Sequence, residues 1–302
     1  MIVTENLTKS FKKRKKEEIV AVDHINLEIK KGENVGLIGP NGAGKTTFLK
    51  ILSTLILPDE GTAIIDGYDV VKDSNVVKSK VSLLAGEFVR SLYWRLSGRQ
   101  NMKFFANLRN MWNPEERIDE LLELFDLKKM ENELVMKYST GMKHKLVLAI
   151  GLLNNPPVIF LDEPLTGIDP ITAHDIKKII KNDFKDKTII WTSHNLYEIE
   201  EMCDRITLIN QGRIALEGTP EKLKKNYWGY EKIMVICDNP KPFEVLEKVE
   251  IKGNIVEIET GDVNKIFLEI MEIAKKEKIN VTEIKTLKPT LEEIFMKVIK
   301  NA

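Results

Sequence analysis

The stretch "GPNGAGKTT" at residues 39–47 constrains this chain more than any other feature. It follows a short apolar run, "ENVGLIG", and leads into "KTTFLKILSTL", a segment with helical period. A glycine loop between a buried strand and a helix wraps backbone N–H groups around a phosphate. Gly39, Gly42 and Gly44 allow the curl, with Pro40, Asn41 and Ala43 between them. Lys45 then offers a point charge to β- and γ-phosphates, and the Thr46 hydroxyl, followed by Thr47, is suited to Mg²⁺. The spacing fits G-x-x-x-x-G-K-[ST] in the strand-to-helix context that the motif requires.

A second run, "VIFLDEP" at 158–164, ends an apolar strand in two carboxylates. In an open α/β sheet, ligands sit beyond the carboxyl ends of the strands, which turns Asp162 and Glu163 toward residues 39–47. One carboxylate suits the metal, and the other suits a water attacking the γ-phosphate. A third stretch, "YSTGMKHKLVLAI" at 138–150, starts a helix at Ser139 with a bare first turn and Lys143, His144 and Lys145 behind it. A small polar cap without acids at a helix N-terminus suits an anion.

Strands read at "IVTENLTKSF" and "IVAVDHINLEI", on either side of the charged run "KKRKKEE", and again at "TIIWTSH" and "ITLIN". Residues 97–155 read as helical, with caps at Ser97, Asn113 (before Pro114) and Ser139. Buried strands separated by helices predict a mostly parallel α/β sheet. From about residue 229 the texture changes to a small α+β domain. Its strands are "EKIMVIC", "NIVEIET" and "NVTEIKTL", and its helices "FEVLEKV", "VNKIFLEIMEIAKKE" and "TLEEIFMKVIK". The expected division is residues 1–228, with a helical subdomain at about 88–155, and 229–302.

Lysine plus arginine and aspartate plus glutamate both number 46, so no overall basic field argues for a nucleic-acid partner. Cys203 and Cys237 lack paired or metal-type spacing, which points to a reducing compartment. The opening "MIVTENLTKSF" has no apolar signal region, and "LVLAIGLL" is far too short to span a bilayer. The expectation is a cytoplasmic chain; work at a membrane would need another chain for the membrane part.

Together these motifs resemble the ATP-binding subunit of an ABC transporter, over residues 1 to about 225. The resemblance implies a P-loop NTPase cassette of α/β class, with a mostly parallel sheet and a helical subdomain, followed by the small α+β domain. It implies ATP and Mg²⁺ as cofactors, and a homodimer in which the signature of one subunit caps the γ-phosphate of ATP held by the other. The signature, usually Leu-Ser-Gly-Gly-Gln, corresponds to Tyr138, Ser139, Thr140, Gly141 and Met142; Ser139 and Gly141 keep the family residue. "LTGIDP" (165–170) is similar to the loop that crosses the dimer interface, with Asp169 as its acid. His194 in "TSHN" matches the switch histidine at the γ-phosphate, and Phe11 matches the aromatic that stacks on adenine. A membrane permease is the implied partner, with the subunit peripheral on the inner face of the cell membrane.

The chain departs from the family where a glutamine usually touches Mg²⁺: Gly86 stands there, followed by Glu87. Either Glu87 takes over the metal contact through water or the link runs differently; Gln100 lies too far on. With the signature changes and the tail "KPTLEEIFMKV", this resembles exporters whose ATPase and permease are separate chains, antibiotic-resistance pumps among them. The alternative is a soluble ABC-type ATPase of DNA repair or translation. Such proteins generally carry paired cassettes, coiled-coil insertions or zinc modules, and none is visible here. Aromatic residues at 88–112 (Phe88, Tyr93, Trp94, Phe104, Phe105 and Trp112) suggest a groove for a partner helix.

Overall fold

The computed structural model describes residues 1–12, 18–227, 231–287 and 290–301. Most of the charged run, residues 13–17, therefore lies outside the described residues. Two long strands open the chain, β1 (Ile2–Lys12) and β2 (Glu18–Ile29). β3 (Asn34–Ile38) enters the glycine loop and α1 (Lys45–Leu52) leaves it. Next come β4 (Glu60–Ile65), β5 (Tyr68–Asp69), α2 (Ser74–Lys80) and β6 (Val81–Ala85). Helices α3 (Gly98–Leu108), α4 (Glu115–Leu124) and α5 (Thr140–Gly151) follow. β7 (Val158–Asp162), α6 (Pro170–Asp183), β8 (Thr188–Thr192), α7 (Leu196–Met202), β9 (Arg205–Asn210) and β10 (Arg213–Gly218) then alternate.

These strands form two sheets. The larger has the order β10-β9-β3-β8-β7-β6, with β3, β6, β7, β8 and β9 joined in parallel pairs. Helices cover both faces of such a sheet, which is why β7 and β8 read as unbroken apolar runs. The other sheet, β2-β1-β4-β5, is antiparallel throughout, so the mostly parallel arrangement holds for the six-stranded sheet alone. One apolar core joins both, with Phe48, Leu49 and Leu52 of α1 packed among Ile2, Ile29, Val35 and Phe160. The register of the parallel strands sets Ala85 beside Asp162, Asp162 beside Thr192, and Thr192 beside Leu37. The loops that leave β6, β7, β8 and β3 consequently start from one edge.

The remaining chain carries α8 (Pro220–Tyr227), β11 (Glu231–Cys237), β12 (Val249–Lys252), β13 (Ile255–Thr260), α9 (Val263–Lys276), β14 (Val281–Leu287) and α10 (Leu291–Asn301). Its antiparallel sheet has the order β12-β13-β11-β14, and α9 buries Ile270 and Ala274 against Ile233, Val235, Val256 and Ile258. The segment "FEVLEKV" is not a helix. A 3₁₀ turn at Lys241–Val245 gives way to the edge strand β12, whose alternate residues are half-buried. Nor does Asn113 cap α4: it lies at φ 46, and Pro114 takes the cap position.

The two compact units meet at Glu217/Gly218, ahead of the composition change at 229, because α8 packs with α10. Each has its own core, so a chain of residues 1–217 is expected to fold cooperatively and bind ATP. Circular dichroism melting and a nucleotide titration check this; a folded fragment without nucleotide binding would assign part of the site to residues 218–302.

Candidate functional site

The loop after β3 needs its glycines. Gly39, Gly42 and Gly44 lie at φ 152, 79 and 107. A Cβ on Gly39 would stand 2.1 Å from the Ile209 carbonyl oxygen, and one on Gly44 2.0 Å from that of Ala21. Gly44 ends the loop as the cap residue of α1 and brings no side chain, so the first N–H groups of the helix have no side-chain acceptor. That is a cradle open to an anion. Lys45 is buried and donates from Nζ to Gly39 O at 2.6 Å and Pro40 O at 3.1 Å. Burial pushes its ammonium pKa down, while Glu163 and Asp162 pull it back.

Asp162 ends β7 between two hydroxyls. Thr46 Oγ1 donates to its Oδ2 at 2.9 Å, and Thr192 Oγ1 to its Oδ1 at 2.7 Å. Glu163 follows at φ 52, a region side-chain-bearing residues seldom adopt. Its N–H donates to Thr192 Oγ1 at 3.0 Å and to Thr192 O at 3.2 Å. Its carboxylate meets His194 Nε2 at 2.6 Å and accepts from Thr166 Oγ1 at 3.3 Å. One hydrogen-bonded cluster thus holds Thr46, Asp162, Thr192, Glu163 and His194, and the charges of Asp162 and Glu163 reach Lys45. Thr192, unnoticed in the sequence because a threonine ending an apolar strand reads only as a β-former, ties Asp162 to Glu163.

The other candidates gather elsewhere. Ser139 caps α5 by accepting from Met142 N–H at 3.1 Å. Thr140 and Gly141 follow, and a Cβ on Gly141 would stand 2.7 Å from Thr172 of α6. Asp169 caps α6 by accepting from that same Thr172 N–H at 3.0 Å, which holds its carboxyl below the usual range. The two helix starts are therefore neighbours, and among the described residues no hydrogen bond or ion pair joins them to residues 39–47. Phe11 lies on β1 with its ring 42% exposed and Lys9 Nζ 5.6 Å from its centre. It pairs with Ile19, two residues from the Ala21 carbonyl that packs on Gly44.

Gly86 opens a 3₁₀ turn, Gly86–Ser91, beyond β6. A Cβ there would stand 3.0 Å from Glu163 O, so a bulkier residue would crowd the backbone of the acidic turn. The side chain of Glu87 lies outside the described residues.

The donors around Asp162 are hard oxygens, the kind Mg²⁺ prefers. Among the described residues no group of three or more His, Cys, Asp or Glu could hold a metal ion; the oxygens of Thr46 and Asp162 suit an ion that also takes ligands from phosphate and water.

Comparison with known proteins agrees with this geometry. Residues 22–166 match the family described as ABC transporter, and residues 218–299 match the C-terminal domain described as ATP-binding protein DrrA1-3-like. The daunorubicin resistance ATP-binding protein DrrA3 of Streptomyces coeruleorubidus is 32% identical, over 91% of this chain and 90% of that protein. The ABC transporter ATP-binding protein NatA of Bacillus subtilis is 34% identical over 74% of this chain and 91% of its own length. By contrast, the chain spans only 27 to 34% of the ABC transporter A family members of Dictyostelium discoideum and Arabidopsis thaliana. Among solved structures, the dimeric post-hydrolysis state of the ATP-binding cassette MJ0796 bound to ADP and Pi matches with TM-score 0.63 and 28% identity, covering 72% of this chain and 98% of that one. The glycine cradle, the acidic strand end and these relatives carry one conclusion: the chain belongs to the ATP-binding subunits of ABC transporters, a family of ATPases.

Proposed function

We propose that two copies of this chain close around two ATP molecules and drive export through a separate integral-membrane permease, on the inner face of the cell membrane. The observation that carries this reading is the split between the two clusters. The phosphate cradle and the carboxylates form one, and the bare N-terminus of α5 beside Asp169 forms another; among the described residues no hydrogen bond or ion pair joins Ser139, Thr140, Gly141 or Asp169 to residues 39–47. Two copies facing each other would give each ATP one cluster from each subunit, and the match to a cassette described as dimeric supports that arrangement. Among the described residues no helix is long and apolar enough to cross a membrane. DrrA3 is named for daunorubicin resistance, which favours a small molecule as cargo.

In this mechanism the loop 39–47 holds the phosphates through backbone N–H groups and Lys45. Thr46 and Asp162 would hold Mg²⁺, which when bound draws negative charge from the β- and γ-phosphates. Glu163 accepts a proton from the attacking water, and His194 fixes the Glu163 carboxylate while facing the γ-phosphate. Phe11 offers a flat face to adenine.

Partner docking would use the aromatic surface of the helical region. Tyr93 packs edge-on to Phe104 at 4.6 Å, yet both rings and Trp94 remain exposed, and Trp112 is 96% exposed. Lys143 Nζ lies 5.0 Å from the centre of the Trp94 ring, which ties this surface to the first turn of α5. The tagged chain is expected to co-purify with a multi-span membrane protein from its native membrane, and Trp94→Glu to lose it. Recovery with soluble ribosomal or DNA-repair proteins instead would overturn the transporter reading.

A further inference from the structure

We propose that His144 is a positioning residue for Glu163, linking the helix that caps one ATP to the base that serves the other. The inference rests on Glu163 acting as the base and α5 as the cap in trans.

Glu163 stands at φ 52, and such a backbone persists only where its surroundings over-determine it. On its amino side the turn is held twice, by Thr192 O and Thr192 Oγ1. On the following side the backbone has fewer handles, since Pro164 has no N–H to give. There Thr166 N–H donates to Glu163 O at 3.3 Å, and the Pro164 carbonyl is the next handle, with His144 Nδ1 3.4 Å from it. A carbonyl only accepts, so the nitrogen facing it carries the proton.

The imidazole is only 7% exposed, and without this carbonyl its Nδ1–H would be buried and unpaired. Gly86 borders the same turn: a Cβ there would stand 3.0 Å from Glu163 O and, at 4.0 Å, in ordinary contact with His144 Cε1. Gly86 and the His144 imidazole are thus neighbours against the acidic turn. Five positions before His144, α5 starts at Ser139. Each α5 would touch the neighbour's γ-phosphate with its first turn and steady its own subunit's base with its second. Seating of one ATP is thereby felt at the other site's base.

The test measures kcat, ATP affinity and melting temperature for His144→Leu and His144→Gln in the full chain, with Glu163→Gln as reference. Leucine fills the space without a donor, while glutamine returns an N–H. The expected result is a kcat about five- to tenfold lower for His144→Leu, the order of one hydrogen bond lost, with ATP affinity unchanged and melting lowered by no more than about a few degrees. His144→Gln should recover most of that loss. Wild-type kcat in His144→Leu would overturn the inference, as would equal losses of kcat and melting temperature in both variants, which signal packing alone. If Glu163→Gln itself hydrolyses normally, the base reading fails first, and a His144→Leu defect would then act elsewhere and overturn the link.

Discussion

Glu163→Gln is expected to bind ATP as the parent does and to lose hydrolysis by about 10²- to 10⁴-fold, the range for removing a general base. The substitution changes little else. Glutamine has the same length and shape, and the backbone at Glu163 is held by Thr192 rather than by its own carboxylate. The amide nitrogen can still face His194, and the amide oxygen can still accept from Thr166, so the cluster stays assembled. What disappears is an oxygen able to take a proton. Nucleotide affinity is set by the glycine cradle and by Lys45, which donates to Gly39 O and Pro40 O rather than to the Glu163 carboxylate. Phosphate release and equilibrium nucleotide binding, measured on one preparation, separate the two effects. Hydrolysis at the parental rate would remove Glu163 from the role.

The sequence made the glycine loop legible because backbone demands at Gly39 and Gly44 leave no other residue room. The strand "VIFLD" was equally plain: β7 runs from Val158 to Asp162, buried on both faces, so no alternation blurs its limits. The antiparallel sheet was only half visible. β1 and β2 are long, whereas β5 has two residues and makes sense only once paired with β4. β12 starts only at the last residue of "FEVLEKV", and a four-residue edge strand half-buried on alternate residues leaves little pattern of its own. In the site, the carboxylates announce themselves and the residues that hold them do not. Thr192 gains its place from parallel register with Asp162, a relation between strands that no local pattern carries. Gly86 reads in sequence as a missing glutamine; the closeness of Glu163 O supplies a steric reason for a small residue there.

Two inactive variants are expected to restore each other if each ATP is shared between subunits. Lys45→Ala strips the point charge from the phosphate cradle and leaves α5 intact. Ser139→Glu leaves the cradle intact but removes the hydroxyl that caps Met142 N–H and sets a negative charge at the start of α5, against phosphate. Each pure homodimer then has two damaged sites. A mixed dimer has one site with both lesions and one with neither, because a two-fold interface contributes the same two surfaces from each partner. An equal mixture that exchanges freely should form about half mixed dimers, and one working site in two gives about a quarter of parental activity. A covalently linked dimer with a single undamaged site sets the activity that one site can sustain, and carrying out the exchange with the permease present favours assembly. Activity that rises on mixing to the level fixed by the linked dimer assigns the anion at Ser139 to the neighbouring subunit's nucleotide. Mixed dimers verified by differential tags, silent while the linked control turns over, would return the start of α5 to a role within its own chain.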